Sequence, residues 1–150
     1  MNLDVIEGLS TVTSGNSVLG IIISNNFAIK SNCFLSPEDS PQQVAVMSFL
    51  ENDQILPHIH NSVPRNVSVT QEVIIVVEGE IRVDFYDDKK NYIVSKIISD
   101  GDILVLTSGG HAFTFIKATR MVEVKNGPYV GESDRTRFPP VHPSKILIRN

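Results

Sequence analysis

A chain of 150 residues is long enough for one domain whose core needs neither a disulfide nor a structural metal. Its 41% hydrophobic and 20% charged residues are those of an ordinary globular protein, and a formal net charge of -4 argues against nucleic acid or an anionic membrane as partner. The one cysteine, Cys33, rules out an internal disulfide and fits a reducing cytoplasm; between Asn32 and Phe34, with no histidine nearby in sequence, it reads as an inert thiol rather than a nucleophile.

The first ten residues, MNLDVIEGLS, carry neither a basic n-region nor an apolar h-region, so no signal peptide is expected. The apolar run 18–23 is too short to span a bilayer and reads as a buried strand. Further segments rich in Val, Ile, Phe and Tyr follow at 44–50, 73–77, 81–86, 92–98, 103–106, 112–116 and 121–124. Turn-forming residues separate them at 36–41, 78–80, 87–91, 99–102, 108–110 and 126–128. No dozen residues show a 3.6-residue apolar period, so the pattern predicts an all-β sandwich or barrel. Alternation in 81–86 puts Ile81, Val83 and Phe85 on one face and Arg82 and Asp84 on the other. The run 73–77 is apolar on both faces, so its outward face needs cover. The tail from 129 is charged and proline-rich until Ile146-Leu147-Ile148, an apolar run suited to an edge strand on the barrel or on a partner subunit.

Four residues carry the chemistry. In His58-Ile59-His60, positions i and i+2 of an extended strand project to the same side, a common metal half-site that also occurs in proteins without metal. Glu72 opens a strand whose face also holds Ile74 and Val76; a carboxylate there needs a partner, either an arginine or a metal. His111 follows a glycine pair and shares a face with Phe113 and Phe115, as a hydrogen-bonded core histidine or as a ligand.

Taken together these residues resemble the cupin superfamily. The first cupin motif is matched by His58-Ile59-His60, Glu72 and Gly79; the second by Gly101-Asp102, the apolar stretch 103–106, the turn 107–110 and His111. The resemblance covers roughly residues 44–125. It implies a double-stranded β-helix, the cupin jelly-roll barrel, as a single domain over 1–150 with its core at about 44–125. It also implies one divalent metal ion (Mn, Fe, Ni, Zn or Cu) held by His58, His60, Glu72 and His111. The chain departs from the usual motifs in three places. Eleven residues separate His60 from Glu72, so a loop is inserted; Asn52 stands where the leading glycine is expected; and the second motif lacks its proline and is one residue short before His111.

The segment 127–138 is similar to one in small cupins encoded beside bacterial surface-polysaccharide genes. It is either a solvated tail or a lip bringing Tyr129, Arg135 or Arg137 to the pocket, where a guanidinium could grip a carboxylate or phosphate; Arg65 on the inserted loop is a further candidate. Two functions follow as expectations. One is a metal-dependent enzyme on a small polar substrate, such as a sugar or sugar-nucleotide derivative, working as an isomerase, epimerase or oxygenase with Glu123 as candidate base. The other is a non-enzymatic small-ligand-binding module. Periodicity alone leaves Glu123 and Lys125 facing either the pocket or water. A homodimer is expected through Val73, Ile75 and Val77, unless the 18–23 segment folds over that face.

Overall fold

The computed structural model describes residues 7–29 and 31–149; positions 1–6 of the N-terminal stretch read above lie outside the described residues. These form two compact units, one of Met1–Phe27 with Val69–Asn150 and one of Ala28–Ser68.

The larger unit holds two antiparallel sheets. Its strands are β1 (Leu9–Ser14), β2 (Ser17–Ile23), β5 (Glu72–Glu78), β6 (Glu80–Tyr86), β7 (Tyr92–Ser99), β8 (Ile103–Leu106), β9 (Gly110–Phe115) and β10 (Arg120–Lys125). One sheet runs β1-β2-β8-β5-β10 and the other β7-β6-β9. From β7 onward the chain alternates between the two sheets, so each crossover ties them together. Apolar side chains of both sheets meet in one core: Ile22, Ile74, Val76 and Leu104 from the first, Ile81, Val83, Phe85 and Ile98 from the second. Alternation produces this directly, since Ile74 and Val76 of β5 and Ile81, Val83 and Phe85 of β6 are every second residue of their strands.

Gly79 is the single residue between β5 and β6, at φ 111°. A Cβ there would stand 2.5 Å from the Ala118 carbonyl oxygen, so both the conformation and the space require glycine. The Gly101-Asp102 turn is held by its buried carboxylate, which accepts from the Asn25 N–H at 2.9 Å and the Ser99 N–H at 2.8 Å.

The 18–23 segment does not fold over the outward face of β5. It lies in the same sheet as β2, paired with β8 from Gly20↔Leu106 to Ile23↔Ile103. The outward face of β5 and β10 keeps Val77, Val122 and Val124 about half exposed. The tail binds this chain's own small sheet: Ile148 makes a parallel bridge to Ser95 on β7. Two tyrosine hydroxyls hold it there, Tyr86 accepting from the Val141 N–H at 3.0 Å and Tyr92 from the Leu147 N–H at 2.9 Å.

In the smaller unit β3 (Cys33–Phe34) pairs with β4 (Ala45–Val46). The loop between them is pinned by Gln43, whose amide donates to the carbonyls of Pro37, Glu38 and Ser40. The strand expected over 44–50 is thus only two residues long, and a turn at 50–53 with Asn52 at φ 70° follows it. Among the described residues no helix is long and apolar enough to cross a membrane.

Candidate metal centre

Glu72 is the first residue of β5 and shares its face with Ile74 and Val76, both fully buried. Its cross-strand partners are Leu106 on β8 and Lys125 on β10, and Glu123 stands opposite Ile74. Cross-strand partners lie on one face, so Glu123 and Lys125 share the inner face with Glu72. His111 comes from the other sheet. It pairs with Phe85, a fully buried core residue, and so points to the same interior. The two residues meet across the sandwich with His111 Nε2 3.2 Å from Glu72 Oε2, and the Phe113 ring lies 5.2 Å from the imidazole. The side chains are 29% and 16% exposed, so the pair sits at the rim and is open to solvent.

Lys125 Nζ lies 3.1 Å from Glu123 Oε1 and 3.9 Å from Glu72 Oε1. The hydrogen bond from His111 holds the Glu72 carboxyl below its ordinary value. Burial opposes this, and the charges of His111, Lys125 and Arg135 add to it. The Glu123 carboxylate in turn raises Lys125.

The segment after β10 is tied to the same end of β5. Asn126 accepts from the Gln71 N–H at 2.8 Å and donates to the Val69 carbonyl at 3.2 Å. Thr70 donates to Asp134 at 3.0 Å, fixing the short 3-10 turn Gly131–Asp134. Arg135 follows that turn, exposed, within electrostatic reach of Glu72 and Lys125. Arg137 instead forms an ion pair with Glu132, and Tyr129 is 73% exposed.

His58, His60 and Arg65 belong to the smaller unit. The expectation of a strand under His58-Ile59-His60 is not met: residues 53–68 lie in no strand, helix or turn. The two imidazoles nonetheless project together, with ring centroids 5.1 Å apart. His58 Nδ1 is 2.9 Å from the Leu56 carbonyl, to which it can only donate, so Nε2 is left with a free lone pair. Ligating histidines are usually oriented in this way by a carbonyl. Arg65 makes only a long contact, 3.5 Å, to the Val63 carbonyl.

Glu72 and His111 offer a divalent ion two donors, and among the described residues no third histidine, cysteine or carboxylate joins them. An imidazole nitrogen and a carboxylate oxygen each about 2.0–2.2 Å from one ion stand roughly 3 Å apart, close to the separation observed. Sequence reasoning left out Lys125 as a neighbour of Glu72, because only the β5–β10 register reveals it. A recess of about 240 Å³ lined by Ser14, Ser17, Asp87 and Lys89 holds none of the predicted site residues. No protein-family model, curated protein or solved structure matches the chain.

Proposed function

We propose that the two sheets are the walls of a cupin jelly roll, and that the chain is a cytoplasmic metal-dependent enzyme. Its substrate would be a small polar molecule such as a sugar or sugar-nucleotide derivative. The observation that carries this reading is the Glu72–His111 pair at 3.2 Å, with Glu123 and Lys125 on the same inner face. Glu72 and His111, with His58 and His60, are the residues that would hold the ion. A divalent ion bound there would supply Lewis-acid polarisation of a substrate carbonyl or hydroxyl.

The chain's own groups supply the rest. Glu123 is a carboxylate 3.1 Å from Lys125 Nζ; once Glu123 Oε1 takes a proton from the substrate and becomes neutral, the Lys125 ammonium is released to face the negative charge left on the substrate. Arg135, with no ion pair of its own among the described residues, orients an anionic substituent. A second ionisable pair beside the ligands favours an enzyme over a binding module, which needs no acid or base.

The test is elemental analysis of protein purified without a metal-binding tag, alongside a His58→Ala, His60→Ala double variant and Ile59→Ala. One equivalent of a transition metal is expected in the wild type and in Ile59→Ala, and its loss in the double variant. Equal metal in the double variant defeats the reading. Metal without turnover of any sugar-nucleotide substrate, in a Glu123→Gln-insensitive manner, points to the binding module instead.

The homodimer is proposed through the outward face of β5 and β10. Val122 stands opposite Ile75 and Val124 opposite Val73, so the five valine and isoleucine side chains 73, 75, 77, 122 and 124 form one apolar surface. Ile75→Glu places a charge at its centre, on the side of the sheet away from Glu72. Sedimentation at micromolar concentration is expected to show twice the 16.6 kDa protomer for the wild type and the protomer for Ile75→Glu, with metal content unchanged. A wild-type species at protomer mass refutes the dimer.

A further inference from the structure

Residues 126–138 are fixed to both sheets of the larger unit. Asn126 and Asp134 tie the segment to Val69, Thr70 and Gln71, which lead into β5 and Glu72. Further along, Phe138 is fixed to the other sheet. Its ring stands edge-on to Tyr86 of β6, with centroids 5.0 Å apart and an interplanar angle of 82°, and Lys90 Nζ lies 5.8 Å from its centroid. The third neighbour is Gly110, the first residue of β9. A Cβ on Gly110 would stand 3.0 Å from Phe138 Cζ and 3.3 Å from Cε1, closer than ordinary contact. Gly110 is not in the left-handed region, so this glycine serves the space of the ring rather than the backbone conformation. Just beyond, the Tyr86 hydroxyl accepts from the Val141 N–H and secures the chain past the ring.

These anchorages bracket the candidate centre. Glu72 directly follows Gln71, and His111 directly follows Gly110. Gly110 pairs with Tyr86, and His111 with Phe85. Successive strand residues point to opposite faces, so Phe138 presses on the β6–β9 ladder from the outer face while the imidazole beside it points inward. Gly110↔Tyr86 is the last rung of that ladder, and ladder ends open most readily. Holding this rung closed fixes the backbone from which His111 reaches Glu72. The ladders alone cannot set that contact, because the two residues belong to different sheets and their 3.2 Å approach is made across the interior. The segment 126–138 links those two sheets at the same end.

We propose that residues 126–138 are a strap tying the two sheets together at the centre, and that Phe138 is the positioning residue of His111, holding its imidazole at Glu72. The functional weight of this rests on the reading of Glu72 and His111 as one centre. Arg135 lies on the same strap, so one anchorage places both the imidazole and the guanidinium.

The test reads His111 itself, in metal-free protein. Its imidazole NMR resonances are assigned by difference from His111→Ala, and the shift that Glu72→Gln causes in them measures the contact. That shift is expected to be clear in the wild-type background and to shrink at least about two-fold in Phe138→Ala, a coupling that a double-mutant cycle isolates. A ring that only added stability would leave the response to Glu72→Gln unchanged in the folded protein. Gly110→Ala pushes the ring aside and is expected to reduce the response in the same direction. Gly110→Ala, Phe138→Ala is expected to match Phe138→Ala, because the methyl then enters space the ring has left. If Phe138→Ala loses the folded far-UV spectrum, Gly110→Ala decides. No shift in the wild type, or a full shift in the folded variants, overturns the proposal. Zinc affinity is measured beside it and is expected to fall about 10-fold in Phe138→Ala, at the low end of what a residue that orients a ligand is worth. A wild type that takes up no zinc defeats the metal reading, and the resonances still decide for or against the strap.

Discussion

His111→Ala is expected to lower the affinity for zinc or manganese by more than about 100-fold, since losing even a partner that only orients a ligand typically costs 10–100-fold. Among the described residues the imidazole is the one donor the small sheet brings to Glu72, 3.2 Å away, and alanine leaves that carboxylate with Lys125 as its nearest counter-charge at 3.9 Å. Glu72→Gln is expected to act similarly, because the amide loses the charge that a hard divalent ion needs. The two carboxylate–imidazole variants also separate the pH effects. Glu72 is held below the ordinary carboxylate value, first by the His111 hydrogen bond. Its contribution to folding is therefore complete above the unfolded carboxylate pKa and is lost only as pH falls through the lower folded value. Near pH 6 Glu72 is already ionised, so its protonation does not set the fall of metal affinity expected below about pH 6. Titration calorimetry against a competing chelator between pH 5 and 8 measures both effects. Affinity within a few-fold of wild type in His111→Ala removes that residue from the centre.

Much of this arrangement was legible in the alternation of the chain. Ile81, Val83 and Phe85 were assigned to the core face of β6 by period alone, and all three are fully buried. Glu72 was placed with Ile74 and Val76, and the register puts it there. What failed was whatever depends on partners distant in sequence. β1 reads Leu-Ser-Thr-Val-Thr-Ser, too sparse in apolar residues to stand out, and it is a strand because β2 supplies its ladder from Leu9↔Ile23 to Ser14↔Ser17. His58-Ile59-His60 has the composition of a strand but, among the described residues of its unit, no neighbour to pair with, and a strand without a ladder does not form. Glu123 and Lys125 could not be assigned to a face because Val122 and Val124 compete for the interior. The register with Glu72 and Ile74 turns the valines outward, which is why that face remains apolar and half exposed.

Asp84 shows the same limit with the opposite sign, and it leads to the second large effect. Alternation assigns Arg82 and Asp84 to the face away from the core, yet Asp84 is only 2% exposed. Its carboxylate accepts from Arg82 Nε at 2.8 Å, Arg82 Nη2 at 3.0 Å and Ser95 Oγ at 2.5 Å. Ser95 in turn meets the Tyr92 hydroxyl at 2.8 Å, and Tyr92 holds the Leu147 backbone. Arg82→Ala removes two of the three donors and leaves a buried carboxylate with one. Removing one partner of a buried ion pair typically costs about 3–5 kcal/mol. Because the Arg82 side chain is 21% exposed and water can follow it in, the lower end, about 3 kcal/mol, is expected here. For a chain of this size that corresponds to a fall in Tm of roughly 6–12 °C. The double variant Arg82→Met, Asp84→Leu discriminates the cause. With neither charge left to desolvate, it is expected to recover most of the loss, whereas a role in packing alone would leave it as unstable as Arg82→Ala. Thermal unfolding followed by circular dichroism on the three proteins reads the difference. A fall of less than 2 °C in Arg82→Ala means that the pair is solvated in solution.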